Sequence, residues 1–271
     1  YFFDAKKIAH KASLPEFPQV TLDLRIAAWL SRPTTQSAGI YSAIHSFLPK
    51  EAIKDGEIMQ AVSLLPKLAP ALKKEIQEKK LGRVWEEIEM PLIPVIYSTE
   101  KSGILIDSEF LNKLSAEAEK KLTALQRKIW EACGAKFNIN SPKQLSEVLF
   151  EKLKLTAKGL KKTGTGAKST RESELLKLKG ANPVIDDLLS FRELSKLKST
   201  YLDTLPEMTD TDGRIHTTYD QAGTATGRLS SYDPNLQNIP IRTEAGREIR
   251  KAFLARPGFE LVTFDYSQLE L

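Results

Sequence analysis

Asn182-Pro-Val-Ile-Asp-Asp-Leu-Leu-Ser-Phe-Arg-Glu-Leu-Ser-Lys-Leu-Lys-Ser-Thr-Tyr201 reads as one amphipathic helix. Asn182 is a good N-cap and Pro183 suits the first helical position. Asp186 and Asp187 set negative charge beside the unpaired N–H groups of the first turn. Ile185, Leu188, Phe191, Leu194, Leu197 and Tyr201 recur at helical spacing and form a single apolar stripe. A second such helix lies upstream. Asp107 caps it, Leu111, Leu114, Ala118, Leu122, Leu125, Ile129 and Ala132 form its stripe, and Gly134 is placed to end it. Its length is about 27 residues, or ~40 Å at the helical rise per residue. The simplest way to cover both stripes is to pack the two helices together, antiparallel.

The segment between them would then stand at the far end of the pair. It opens with Ser141-Pro-Lys-Gln-Leu-Ser-Glu-Val-Leu149, a short helix. A run follows with Lys152, Lys154, Lys158, Lys161, Lys162, Lys168 and Arg171 and no acidic residue among them. Its interior, residues 159–166, is rich in Gly and Thr, which favours a mobile loop over a helix. The expectation is a stalk with a basic tip. Such a run can be a solvated loop or a phosphate-binding surface, and charge alone leaves both open. The net charge of +5 and pI near 9.0 permit a nucleic-acid partner without requiring one.

Residues 1–88 read as helices and short loops, including Asp23-Leu-Arg-Ile-Ala-Ala-Trp-Leu30 and a helix over 64–77. Tyr1-Phe-Phe3 could close a strand. From about Thr204 the character changes. Asp212-Gly213 signals a turn, residues 214–221 alternate like a strand, and residues 252–255 and 260–264 read as strands joined through Arg256-Pro-Gly258. The fold class is α+β. No apolar run approaches the ~20 residues of a membrane span. Cys133 is the single cysteine, which excludes a disulfide framework, and His10, His45 and His216 are scattered in sequence. The chain starts at Tyr1, as expected of a processed product or a piece of a longer protein.

In Phe259-Glu-Leu-Val-Thr-Phe-Asp-Tyr-Ser-Gln-Leu-Glu-Leu271 an apolar strand delivers Asp265 at its end. A strand end is a rigid mount for a metal ligand, and magnesium takes a few carboxylate oxygens with waters and substrate phosphates. The same residues also fit a capping box, Asp265 with Gln268 or Ser267 with Glu270. Upstream, small and hydroxyl residues surround Arg228 in Thr224-Ala-Thr-Gly-Arg-Leu-Ser-Ser231, and amides follow at Asn235, Gln237 and Asn238. These side chains can donate to phosphates and groove edges, or can merely cap a glycine-containing loop.

Together these stretches resemble consecutive signatures of the family A DNA polymerases, the DNA polymerase I group. The likeness runs through Thr224-Ala-Thr-Gly-Arg-Leu-Ser-Ser231, Asp233-Pro-Asn-Leu-Gln-Asn-Ile-Pro240 and Asp265-Tyr-Ser-Gln-Leu-Glu-Leu271. Arg192-Glu-Leu-Ser-Lys-Leu-Lys-Ser-Thr-Tyr201 is similar to the stretch that closes the family's thumb, and Lys162-Thr-Gly-Thr-Gly-Ala-Lys-Ser-Thr170 to its thumb-tip loop. The likeness covers residues 87–271. It implies that Asp265 and the backbone carbonyl of Tyr266 bind two magnesium ions and that Glu270 helps exclude a ribose 2′-hydroxyl. It implies that Arg228 reaches the minor groove near the primer end, with Asn235, Gln237 and Asn238 on the duplex. It also implies that Arg242, Lys196, Lys198 and the tip residues Lys161, Lys162, Lys168, Ser169, Thr170 and Arg171 hold the DNA backbone.

The sequence departs from the family pattern at Ala222, where threonine is common, and at Leu269, where isoleucine is usual. Residues 1–88 resemble the end of the family's ribonuclease H-like 3′–5′ exonuclease domain. Its first carboxylates and its late Tyr-x-x-x-Asp signature are not found, so an inactive remnant is expected, with Asp4 and Asp23 in capping or surface roles. Residues 89–205 would be the thumb, with its tip at 152–171, and 206–271 the first part of the palm. The resemblance implies a DNA polymerase whose partners are primer-template DNA, deoxynucleoside triphosphates and a C-terminal polypeptide with the fingers and remaining palm. No membrane is implied, and the location would be the cytoplasm near the nucleoid, or an organelle. This chain alone would be inactive. The alternatives are a duplex-binding clamp without chemistry and a 3′–5′ exonuclease.

Overall fold

The computed structural model describes residues 1–33, 39–164 and 166–267. In chain order come helices α1 (Ala5–Lys11), α2 (Leu24–Ser31), α3 (Ile40–Phe47), α4 (Ile58–Ser63), α5 (Leu65–Glu78) and α6 (Gly82–Val84). A wider π-type turn, Trp85–Glu89, leads from α6 into α7 (Met90–Ser102). Next are β1 (Ile104–Ile106), α8 (Ser108–Cys133), α9 (Pro142–Ser146), α10 (Glu172–Leu176) and α11 (Val184–Leu197). The last stretch holds α12 (Thr204–Glu207), β2 (Arg214–Ile215), β3 (Thr218–Asp220), β4 (Ser230–Tyr232), α13 (Glu244–Arg250) and β5 (Phe253–Leu254). The architecture is mostly helical α+β. Among the described residues no helix is long and apolar enough to cross a membrane.

Contacts gather the chain into two units. One joins Tyr1–Ile104 to His216–Asn238, and the other joins Leu105–Ile215 to the residues from Ile239 onward. In the first, α2, α3 and α5 bury Leu24, Ile44, Leu68, Leu72 and Ile76 in one core. Asp23 organises its start. Its Oδ1 accepts the Arg25 and Ile26 N–H groups at 2.9 and 3.2 Å, and its Oδ2 accepts the Ala5 N–H at 2.6 Å. One buried carboxylate thus caps α2 and ties α1 to it, although burial pushes its pKa up. Asp4 caps α1 through the Lys7 N–H. The expected strand end at Tyr1-Phe-Phe3 appears as a single parallel bridge between Phe2 and Asp23.

The second unit is built on α8 and α11. Asp107 Oδ1 accepts the Phe110 N–H at 2.8 Å, and Gly134 ends α8 in the left-handed region at φ 59°. Asn182 Oδ1 accepts the Val184 N–H at 2.9 Å to start α11. Lys128 meets Asp187 near one end of the pair, and Ser115 meets Asp203 near the other, so the helices run antiparallel. Leu122, Ile129 and Cys133 of α8 pack with Ile185, Leu188 and Phe191 of α11. Cys133, not the expected Ala132, carries the stripe: it lies a full i+4 step beyond Ile129, and Ala132 faces solvent. β1 lies between β2 and β5, with Leu105 opposite Leu254 and Ile106 opposite Phe253.

Two strand expectations change. Residues 214–221 do not form one strand, because β2 and β3 enter different sheets on either side of His216 and Thr217. Residues 260–264 are not paired as a strand, and Phe264 is 91% exposed. Their apolar pattern suits the interior of a sheet, but no strand among the described residues lies beside them, so the ladder that would define a strand is not made.

Candidate nucleic-acid interface

Backbone hydrogen bonds fold the described residues of the basic run back on one another. Lys162 and Lys168 form an antiparallel bridge, and the Ser169 N–H reaches the Lys161 carbonyl at 2.8 Å. The Thr163 N–H reaches the Ala167 carbonyl at 2.7 Å, so the described residues on either side pair as a hairpin. Buried Glu174 anchors its base. That carboxylate holds Lys177 at 2.8 Å and accepts the Lys161 N–H at 2.9 Å, and these bonds keep its pKa below the ordinary range. Ser146 Oγ donates to the Lys168 carbonyl at 3.0 Å, tying the hairpin to the end of α9. Lys161, Lys162 and Arg171 are exposed, and Lys168 lies over the Phe150 ring at 4.9 Å. Ser169 and Thr170 are buried at 6% and 5% exposure. Ser169 Oγ accepts the Arg171 N–H and the Thr170 carbonyl takes Arg192, so both shape the tip from within.

Lys196 is exposed on α11. Lys198 instead reaches Asp203 at 2.9 Å and Glu119 at 3.4 Å, and the Asp203 bond raises its pKa. Its charge is largely committed to locking the end of the helix pair.

Arg228 lies on the loop between β3 and β4, which pair with Tyr219 opposite Ser231 and Asp220 opposite Ser230. Thr224 Oγ1 donates to the Arg228 carbonyl at 2.7 Å and braces the loop. The hairpin is fastened to the N-terminal helices by side chains. Arg25 reaches Asp220 at 2.7 Å, Trp29 Nε1 donates to the Thr224 carbonyl at 2.7 Å, and Gln221 Nε2 donates to the Glu89 carbonyl and carboxylate at 3.0 Å each. Beyond β4, Asn235 Oδ1 accepts the Gln237 and Asn238 N–H groups at 3.1 and 3.2 Å, and Gln237 Nε2 donates to the Leu229 carbonyl at 3.1 Å. These amides therefore fold the loop back on itself, and all three residues remain exposed.

In the second unit, exposed Arg242 precedes α13, and its carbonyl accepts from Arg247 at 3.2 Å. Arg250 donates to the Ile239 carbonyl at 2.7 Å, which closes this loop. Asp265 and Tyr266 are exposed, outside any helix or strand. A carboxylate beside a backbone carbonyl is a hard-oxygen pair that fits one side of a magnesium shell. Among the described residues no group of three or more His, Cys, Asp or Glu could hold a metal alone. Glu270 lies outside the described residues.

Sequence reading missed Arg25, Trp29, Glu89 and Glu100 as supports of the Arg228 hairpin. Each lies well over a hundred positions from its partner. His10 and His216, scattered in sequence, both reach Glu100, at 2.6 and 2.8 Å. Only a folded chain reveals such meetings.

A sequence model described as DNA polymerase family A matches residues 108–271. A DNA polymerase I of Deinococcus radiodurans is 46% identical over 229 residues, covering 83% of this chain and 23% of that protein. One from Caldicellulosiruptor bescii is 39% identical over 274 residues, covering 99% of this chain and 32% of that protein. A solved structure described as the POL domain of Pol1 from M. smegmatis, in complex with DNA primer-template and dNTP, aligns with a TM-score of 0.83 at 36% identity. That alignment covers 95% of this chain and 46% of the other. The chain spans roughly a quarter to a third of the length of these curated relatives.

Proposed function

Because the chain belongs to DNA polymerase family A, we propose that it is the part of a template-directed DNA polymerase that grips primer-template duplex and supplies the first metal-binding aspartate. The observation that carries this reading is the family match over 108–271, which spans the basic hairpin, Arg228 and Asp265. In this reading residues 1–88 are the end of an inactive exonuclease-like domain. The antiparallel pair α8 and α11 with its basic hairpin is the thumb, spanning 89–205, and residues 206–271 begin the palm. The fingers and remaining palm come from further polypeptide.

The reaction is attack of a primer 3′-hydroxyl on the α-phosphate of a deoxynucleoside triphosphate, with release of pyrophosphate. Asp265 and the Tyr266 carbonyl would hold magnesium. When bound, two such ions lower the pKa of the attacking hydroxyl and neutralise charge on the phosphate. The chain's own residues position the substrate. Lys161, Lys162, Lys168, Arg171, Lys196 and Arg242 meet phosphates, which fixes register without reading sequence. Arg228 enters the minor groove at the primer terminus, where every base pair presents acceptors. Ser169, Thr170 and Lys198, being buried or paired, set the shape of the surface that carries these contacts. Glu270 would disfavour a 2′-hydroxyl.

Asp265→Asn in the polymerase containing this chain tests the assignment. Asn caps a helix about as well as Asp but brings no charge to a cation. Extension should be abolished, with primer-template affinity and folding retained. Near-normal extension at limiting magnesium refutes the metal role. A wild-type polymerase that binds duplex and never extends it would favour the clamp reading.

A further inference from the structure

Glu100, at the end of α7, is 4% exposed, and the reaction described above makes no use of it. Its carboxylate is a meeting point. Oε1 accepts the Tyr219 N–H at 2.6 Å and also takes Lys6, while Oε2 meets His10 Nε2 at 2.6 Å. Its backbone carbonyl meets His216 Nδ1 at 2.8 Å. Lys6, itself buried, donates in addition to the Tyr219 carbonyl at 2.8 Å. Both backbone hydrogen-bonding groups of Tyr219 therefore end on the Lys6–Glu100 ion pair. The pair does for β3 what a neighbouring strand would do, offering one acceptor and one donor to an edge.

β3 is the first arm of the hairpin that carries Arg228. Displacing Tyr219 moves its partner Ser231 and the Asp220–Ser230 rung, and with them the loop braced by Thr224 on the Arg228 carbonyl. We infer that Glu100 is a positioning residue for Arg228, with Lys6 as its counter-ion. The N-terminal helices then serve the polymerase as the mount of its minor-groove contact. This rests on the reading of Arg228 given above.

The test is a double-substitution cycle in the polymerase that contains this chain, measuring single-turnover extension at saturating primer-template. Glu100→Gln should lower the extension rate about ten- to a hundredfold, the scale of a 1 Å misplacement. Duplex Kd should move by less than about threefold, since the phosphate contacts lie elsewhere. In an Arg228→Ala background the same substitution should cost less than about twofold, because the residue through which it acts is gone. Equal losses in both backgrounds mean a general structural role and overturn the inference.

Glu100→Gln leaves Lys6 buried without its counter-charge, so a second variant guards against misfolding. Lys6→Met combined with Glu100→Met removes both charges at similar volume and still leaves Tyr219 unpartnered. It should show the same loss and the same non-additivity, and normal extension by the folded variant overturns the inference. Arg228→Ala without effect on extension would sink the reading beneath it, which is a different result from additive losses.

Discussion

Replacing Lys161, Lys162, Lys168 and Arg171 with Gln gives the basic hairpin a quantitative test. The four side chains are not equivalent. Lys161, Lys162 and Arg171 are all exposed, but the Lys161 charge lies near the Glu174 carboxylate, and Lys168 lies over Phe150. Two charges should count in full and two in part. Each phosphate contact contributes about 0.9 to the slope of log K against log salt, so the slope should flatten by about 1.8 to 3.6. Between about 50 and 200 mM salt, the affinity gap between wild type and variant should close by about 12- to 150-fold. Fluorescence anisotropy of a labelled duplex across that range reads both quantities. The loss should be the same for duplexes of unrelated sequence. An unchanged slope would return the hairpin to a solvated surface turn, whatever the change in affinity at one salt concentration.

Two stability predictions follow from other geometry. A Cβ on Gly246, at the start of α13, would lie 2.3 Å from the Pro240 carbonyl oxygen. Backbone cannot swing away as a side-chain tip can, so Gly246→Ala should cost about 1–3 kcal/mol, read as a lower urea midpoint at unchanged m; an unchanged midpoint would refute the close approach. Two paired carboxylates should lose their stabilising contribution in acid. The Arg32 hydrogen bond keeps Glu75 below its ordinary pKa, and at Asp203 burial acts upward but the Ser115 and Lys198 bonds outweigh it. Lowered native pKa values stabilise the fold above the unfolded value, near about 4, and that stability is lost as pH falls through the native values. Arg32→Met should remove part of this dependence in thermal unfolding between about pH 6 and 3, and curves parallel to wild type would deny the pairing its role.

Local signals were the legible ones. Asp107 and Gly134 bound α8, Asn182 starts α11, and two facing stripes required the helices to pair, because caps and periodicity act within a few residues. The basic run stood out for the same reason, whereas the local patterns around Arg228 and Asp265 fit a capped loop and a capping box equally well, and only their resemblance to family motifs singled them out. What escaped is long-range. Nothing in a spacing says that Glu100 will collect Lys6, His10, His216 and Tyr219, or that Trp29 will hold Thr224. Residues 260–264 failed in the opposite way. Their local pattern is right for a strand, but a strand is defined by a neighbour that a local pattern cannot contain. At the tip, the Gly and Thr of 159–166 pointed to a loop, and composition could not show the backbone bonds that pair 161 with 169 and 163 with 167, or their tie to buried Glu174.

The side chains beneath that tip belong to the same packed cluster as the helix pair. Leu145, Leu149 and Leu175 join Leu122, Ile129, Ile185 and Phe191 in one continuous interior. Close-packed interiors transmit strain instead of absorbing it. If that hairpin binds duplex as proposed, a pull on it would not stretch a tether but would load α8 and α11 together, as a lever about 40 Å long from the basic end to where α8 begins.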